Sequence, residues 1–350
     1  MLSHNINFKH YLYYLIRSIY MPKRTYHIPI FVPHKGCPHD CVFCNQKKIT
    51  GHTDVCDTIE IKTIVEEYLS SIAKNGSRED AHIEVAFFGG SFTGIDRDVQ
   101  EEYMKCVEPY IKSGDIDGIR CSTRPDYIDD DILTMVKSYG MSVIELGVQS
   151  ADDRVLSITN RGHSFADVEN AAMLIKKHGI SLGLQMMTGL PGDTPEGALA
   201  TAMKIADLEP DCVRIYPTLV MEGTHLAKMY NDGIYAPQTL DEAVELVADI
   251  IPIFSDRNID IIRIGLQTTD NVNADTVIGP YHPAFAELCY GRIERKRIEE
   301  RIVADDMKAC RLEISAPKSC FSKIIGHKKS NAVYFKEKYN IDIVLKEEEI

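Results

Sequence analysis

Gly36-Cys37-Pro38-His39-Asp40-Cys41-Val42-Phe43-Cys44-Asn45-Gln46 follows the apolar run Ile28 to Val32 almost directly. Three cysteines spaced Cys-x3-Cys-x2-Cys on one short loop can bring their thiolates onto a single inorganic centre. Four thiolates would close a [4Fe-4S] cluster, whereas three leave one iron open to a substrate or cofactor, which is a catalytic arrangement. Two other readings use the same residues. A structural zinc site takes a fourth ligand, for which His34 and His39 stand nearby in sequence. A disulfide pair requires an oxidising compartment, of which the sequence carries no sign.

The chain has 350 residues, room for one large α/β domain and a small appendage. Its remaining cysteines (Cys56, Cys106, Cys121, Cys212, Cys289, Cys310, Cys320) follow no repeated spacing and read as reduced thiols. A formal net charge of −13 argues against a protein that coats nucleic acid, because phosphate neutralisation drives such binding. Any nucleic-acid contact is therefore local. The stretch Tyr11 to Tyr20 is short and interrupted by Arg17, so it neither spans a membrane nor forms a secretory signal, and a cytoplasmic protein is expected.

Phe8, Tyr11, Leu12, Leu15 and Ile16 lie at helical spacing, which predicts a helix over residues 1–20. Met21 opens the run that leads into the cysteine loop, so residues 1–21 read as an N-terminal extension. Strands are expected at 28–32, 83–88, 118–122, 142–147, 181–187, 212–216 and 259–264. Helices are expected between them at 59–73, 99–111, 128–138, 165–178, 195–208 and 240–254. Near-continuous apolar strands alternating with helices predict a parallel sheet covered by helices and curled into an open (β/α)6 partial TIM barrel over residues 22–275. In such barrels the chemistry sits at the carboxyl ends of the strands.

Polar and glycine motifs fall at those ends. Gly89-Gly90-Ser91-Phe92-Thr93-Gly94 follows the second strand, where paired glycines permit close backbone approach and exposed amides and carbonyls can hold a ligand's amino group. Ser122-Thr123-Arg124-Pro125-Asp126-Tyr127 closes the third strand, and Glu145-Leu146-Gly147-Val148-Gln149-Ser150 the fourth. Gln149 offers a donor and an acceptor to a ribose or carboxylate, and Arg161 in Asn160-Arg161-Gly162-His163 offers a fork for a carboxylate. Singly, each reads as a cap or surface ion pair; their shared placement favours a site. The fifth strand runs from Gln185 into Thr188-Gly189-Leu190-Pro191-Gly192, where glycines let backbone approach a flat ring and Leu190 can pack on its face.

Cys37 to Gln46 resembles the signature of the radical S-adenosylmethionine (SAM) enzymes, in which an aromatic residue, here Phe43, precedes the last cysteine. Together with Gly89-Gly90-Ser91-Phe92, Thr123-Arg124-Pro125-Asp126-Tyr127, Gly147-Val148-Gln149-Ser150, Asn160-Arg161-Gly162-His163 and Ile215-Tyr216-Pro217-Thr218-Leu219-Val220, it is similar to the radical SAM core of the Elongator catalytic subunit over about residues 24–270. The resemblance implies a [4Fe-4S] cluster on Cys37, Cys41 and Cys44. It also implies SAM on the open iron and an electron from a reductant such as flavodoxin or ferredoxin. Phe43, Gly89, Gly90, Ser91, Ser122, Gln149, Arg161 and Gln185 form the implied SAM-binding set. Gln149 and Arg161 are similar to SAM-contacting positions of oxygen-independent coproporphyrinogen oxidases, and Gln185 replaces an acidic residue there. Ser91 stands where Glu is common. The long insertion between the first two cluster cysteines of Elongator is absent, and nothing after Asp270 resembles its acetyltransferase domain.

Residues 276–305 read as a linker and a basic helix carrying Arg292, Arg295, Lys296, Arg297 and Arg301. Residues 306–350 show strand, helix, turn, helix, strand, which resembles a minimal KH RNA-binding module. A KH loop reads Gly-x-x-Gly; here Gly326 is followed by His327, Lys328 and Lys329, so Gly326, Lys328 and Lys329 are the candidate RNA contacts, with tRNA the favoured partner. A small-molecule reaction of the coproporphyrinogen-oxidase type and a non-catalytic iron-sulfur sensor are the rival functions.

Overall fold

A computed structural model describes residues 3–7, 24–32, 37, 40–44, 57–75, 78–268, 272–304 and 310–348. They form two compact units, one within Lys23–Ala243 and Ile250–Pro283, the other within Met1–Pro22, Val244–Asp249 and Ala284–Ile350. No helix among the described residues is long and apolar enough to cross a membrane.

The larger unit is built on a seven-stranded sheet: β1 (Arg24–Val32), β2 (Ala81–Gly89), β3 (Gly118–Thr123), β4 (Met141–Gln149), β5 (Ser181–Thr188), β6 (Cys212–Pro217) and β7 (Asp260–Ile264). The strands pair in chain order, every pair parallel. Parallel neighbours need long crossovers. These are α1 (Thr58–Asn75), α2 (Arg97–Ser113), α3 (Asp130–Ser138), α4 (Phe165–Lys177), α5 (Pro195–Asp207) and α6 (Leu240–Ser255). The result is the curled half-barrel expected of a (β/α)6 chain.

Local chemistry starts the helices where the sequence turns polar. Ser164 and Asp167 form a capping box on α4, and Thr239 and Glu242 do so on α6. Thr194 caps α5 ahead of Pro195, whose missing N–H falls at a position that needs no donor. One face of the sheet is oily: Ile28, Ile30, Val85, Phe87, Leu182, Met186 and Ile215 are fully buried, and Phe87 stacks on Tyr103 of α2. The alternate positions are different. Glu84, Arg120 and Glu145 are buried charges on the face turned away from the helices, so these strands are not apolar throughout.

In the smaller unit, strands Ser3–Asn7 and Asp342–Glu347 flank Arg311–Ala316, both in parallel register. Ser3–Asn7 is thus a strand rather than the start of a helix, because it finds a distant edge to pair with; residues 8–20 lie outside the described residues. The crossover from Arg311–Ala316 to Asp342–Glu347 is made by two helices, Phe321–Ile325 and Ser330–Tyr339, in the order the sequence suggests. The helix α7 (Phe285–Ala304) closes their core with Ile298 and Ile302 against Leu312, Ile314, Ile324, Phe335 and Ile341. It therefore belongs to this unit instead of standing apart as part of a linker.

The basic residues of α7 are largely spoken for. Arg292 and Lys296 pair with Glu245, Lys296 also with Asp249 at 2.6 Å, and Arg297 with Glu294 at 3.1 Å. Arg295 lies 4.5 Å over the Tyr334 ring. Phe335 is fully buried, between Tyr334 and Tyr339. Phe335→Ala removes the largest side chain of this core and should lower stability by about 3–5 kcal/mol. Urea unfolding of the variant beside the parent measures it, and a loss under about 1 kcal/mol would show that this core collapses to fill the gap.

Candidate active site

The cysteine loop leaves the carboxyl end of β1 and is tied down by backbone from other parts of the same unit. Among its described residues, Val42 donates its N–H to the Thr159 carbonyl at 3.2 Å, and the Val42 carbonyl accepts from Leu226 at 2.7 Å. The Asn160 side chain donates to the Asp40 carbonyl at 3.0 Å. Cys41 is buried, Cys37, Phe43 and Cys44 half-buried. Burial raises the Cys37 thiol, as does neighbouring Cys41, while Arg124, Arg161 and the Ser91 amide pull it down. His34 and His39, the zinc alternatives, lie outside the described residues.

Arg161 joins this loop to the sheet. Its Nη1 donates to Cys41 Sγ at 3.3 Å and its Nη2 to the Gly147 carbonyl at 2.7 Å. A Cβ on Gly147 would stand 2.9 Å from Gln149 Nε2 and 3.1 Å from Arg161 Nη2, so a side chain there would displace the ends of both. Gln149 adopts φ +68°, a conformation that strains a side-chain-bearing residue by about 1–3 kcal/mol. Strain of that kind is tolerated where the residue has a task. Gly147, Gln149 and Arg161 thus meet at the mouth of β4.

Gly89, at φ +109°, ends β2, and the Gly90 N–H donates to the Val32 carbonyl at 3.3 Å, holding the glycine pair beside the start of the loop. Ser91, which follows, is fully enclosed. Its hydroxyl bonds Thr123 Oγ1 at 2.8 Å and accepts from the Arg124 amide at 3.2 Å. What Ser91 presents to the loop is its own amide, directed at Cys37. Deeper in the sheet Gln185 donates to Ser122 Oγ at 3.1 Å and to Glu145 Oε2 at 3.0 Å. Both amide hydrogens of Gln185 are then in use, which leaves its carbonyl oxygen as an acceptor for a hydroxyl. Leu190 differs from expectation: it is buried within the protein and turns no open face to a ring.

Four residues of this site carry no role in the sequence reading. Glu145, 1% exposed, lies between Arg214, which grips both its oxygens, and Arg120 at 3.4 Å. Burial alone would raise its carboxyl; the Arg214 hydrogen bonds and the two guanidinium charges outweigh that and lower it. Arg124 is 3% exposed and keeps a two-pronged bond to Asp126, 2.9 Å on each arm. His163 is buried with neither ring nitrogen in a well-formed hydrogen bond. The signal was available for Glu145 and Arg214, as charges inside apolar strands; for Arg124 and His163 it was only their place in strand-end motifs.

Three thiols on one loop, with buried cations beside them, fit an anionic thiolate-held iron-sulfur group. The unsatisfied Arg161 Nε, Arg124 Nη1 and His163 nitrogens are the kind of buried polar atoms that a polar ligand satisfies. Among the described residues no trio of His, Cys, Asp or Glu side chains is already drawn together to hold an ion.

Burial, with Arg161 and Arg124 nearby, brings the His163 pKa down to about 3 from 6.5. Below pH 6.5 the unfolded chain gains a proton that the folded chain refuses, so stability is lost as pH falls from about 6.5 toward about 3. In metal-free protein, His163→Gln should lose roughly 2 kcal/mol less than the parent between about pH 7 and pH 5. Urea midpoints at both pH values measure this, and an equal loss in both proteins rules out a buried neutral imidazole.

A family described as the radical SAM superfamily matches residues 31–205, and a radical SAM C-terminal domain family matches residues 210–295. A tRNA uridine(34) acetyltransferase of Methanocaldococcus jannaschii is 31% identical over 63% of this chain and 47% of its own length. Elongator complex protein 3 of Saccharomyces cerevisiae is 29% identical over 49% of this chain and 34% of its own. The structure of Elp3 from the archaeon Methanocaldococcus infernus superposes with a TM-score of 0.62, at 22% identity, over 78% of this chain and 63% of that one. The chain spans about half the length of the first curated relatives it matches. With its family match, parallel half-barrel and three-cysteine loop, the chain belongs to the radical SAM superfamily, enzymes that use a [4Fe-4S] cluster and SAM.

Proposed function

We propose that this enzyme binds a [4Fe-4S] cluster on Cys37, Cys41 and Cys44, cleaves SAM reductively, and modifies RNA, with tRNA the favoured substrate. The observation that carries the reading is the Arg161 bridge between Cys41 and the mouth of β4, which puts the cysteine loop beside Gly147 and Gln149. When bound, the cluster and SAM supply an electron and a 5′-deoxyadenosyl radical. The protein's part is to hold and enclose. The Gly89-Gly90 backbone borders the amino-acid end of SAM, Arg161 and Gln149 take its polar groups, and the Gln185 carbonyl accepts from ribose. Phe43 keeps solvent from the loop. A flavodoxin or ferredoxin serves as electron donor.

Support for RNA comes from the relatives named for tRNA uridine(34) acetylation and from the C-terminal unit. There Gly326 is buried at φ +76°, with Ser330 Oγ 2.5 Å and Asn331 Cγ 2.9 Å from where a Cβ would stand. Lys328 and Lys329 follow in left-handed conformations and are exposed. Gly326 shapes the turn and the two lysines present charge, the reading that best suits a KH-like contact with phosphates.

Anaerobically reconstituted protein should hold about four irons and four sulfides and, once reduced, release 5′-deoxyadenosine and methionine from SAM. Replacing Cys37, Cys41 and Cys44 together by Ala should abolish both. Retained visible absorption in the triple variant, or zinc as the bound metal, ends the cluster assignment, and a cluster without SAM cleavage points to the sensor.

RNA binding is tested apart from the cluster. Lys328→Glu with Lys329→Glu should reduce crosslinking to RNA in cells and flatten the slope of log affinity against log salt by roughly 1.4, at about 0.7 per contact on a single strand. A double variant that binds and crosslinks like the parent removes the module from RNA recognition and brings the small-molecule reaction forward.

A further inference from the structure

Arg124 is the buried cation that neither the fold nor the proposed SAM contacts use up. Its Nε and Nη2 are both committed to Asp126, each at 2.9 Å, and this carboxylate fork fixes the plane of the guanidinium. Its backbone is fixed as well, by the bond from its amide to Ser91 Oγ at 3.2 Å. Nη1 is what remains, enclosed by protein and without a partner. Arg124 stands at the carboxyl end of β3, tied to Ser91, and Ser91 follows the Gly90 whose N–H bonds the Val32 carbonyl where the cysteine loop leaves β1. A buried guanidinium held rigid on one edge and bare on the other is prepared for an acceptor that arrives later.

We infer that Arg124, braced by Asp126, is a positioning residue of the active site whose free Nη1 donates to an anion bound beside Cys37. The acceptor is either a sulfur of the cluster and its thiolates or the carboxylate of the SAM methionine moiety. Both are anions that a charge-assisted N–H serves, and both belong to the side of the site where Cys37, Arg161 and the Ser91 amide gather. Arg161 already donates to Cys41, so with sulfur as the acceptor the loop is gripped by two guanidinium groups from different parts of the chain. The inference rests on the cluster reading given above.

The test uses cluster-loaded, full-length protein and two readouts other than turnover: the midpoint potential of the cluster without SAM, and the affinity for SAM by calorimetry. Arg124→Gln removes the charge and the fork. If Nη1 serves sulfur, the potential moves to more negative values, since a donor and a positive charge that stabilise the reduced cluster are lost. If it serves the carboxylate, SAM affinity drops roughly tenfold or more while the potential stays. Either result supports the inference and names the acceptor. Arg124→Lys, which keeps the charge but loses the fork and the reach of Nη1, should move the same readout in the same direction by less, and it carries the test should Arg124→Gln fail to fold. Unchanged potential and unchanged affinity in a folded variant with its full iron content overturn the inference. A parent protein that takes up no cluster overturns the proposed function and this inference with it.

Discussion

Glu145 sets the terms for the larger unit. A carboxylate 1% exposed in the middle of a parallel sheet is untenable alone, and it survives because Arg214 and Arg120 reach it from strands two places and one place away. Glu84 repeats the pattern one layer along. Burial would raise its carboxyl, but hydrogen bonds from His27 and Ser142 and the Arg120 charge outweigh that and bring it down to about 2. A slip of one residue in any strand would turn these charges toward the helices, where Phe87, Leu182 and Ile215 pack. The ion network is a poor source of net stability, since desolvation consumes most of the attraction, yet it penalises wrong registers severely. It also leaves the inside of the half-barrel polar. Gln185, bonded to Glu145, and Ser122, bonded to Gln185, are extensions of the same network toward the strand ends.

Above that layer the described residues of the cysteine loop take backbone partners from Thr159 and Leu226 and a side-chain partner from Asn160. Asn160 can serve because it takes φ +54°, a conformation Asn tolerates better than most residues. The same turn aims the next residue, Arg161, at Cys41. Asn160-Arg161-Gly162-His163 is thus one device with two outputs, a backbone anchor for the loop and a donor to one of its sulfurs.

The order of strands and crossover helices was readable because the strands are mainly apolar and bounded by turn chemistry, and several helices carry side-chain caps. What escaped has a physical reason in each case. Val220–Met221 and Val277–Ile278 pair as two-residue strands, too short for any period to show. Asp153–Ile158 is a single short helix cut off before the motif at Asn160. Ser3–Asn7 is polar and alternates weakly; only its parallel register with Arg311–Ala316 makes it a strand. The site was legible as a set of strand ends. Its wiring was not, since pairs such as Glu145 with Arg214 and Ser91 with Thr123 depend on which strands become neighbours.

Ser91 shows how a departure from a family pattern reads once its surroundings are known. A Glu at that point, as is common among radical SAM enzymes, is a long acidic side chain able to reach a ligand. Here the position is 1% exposed, next to Thr123 and the Arg124 amide, and a hydroxyl is what those partners accommodate. Ser91 therefore turns inward and secures the start of the Thr123-Arg124-Pro125-Asp126 turn. The guanidinium groups that act on Cys37 are Arg124, paired with Asp126, and Arg161, so this corner lacks the extra negative charge a Glu would bring. Burial and Cys41 raise the Cys37 thiol, the cations Arg124 and Arg161 work against that, and an added carboxylate would raise it further. The substitution at Ser91 and the burial of Arg124 are two halves of one electrostatic choice.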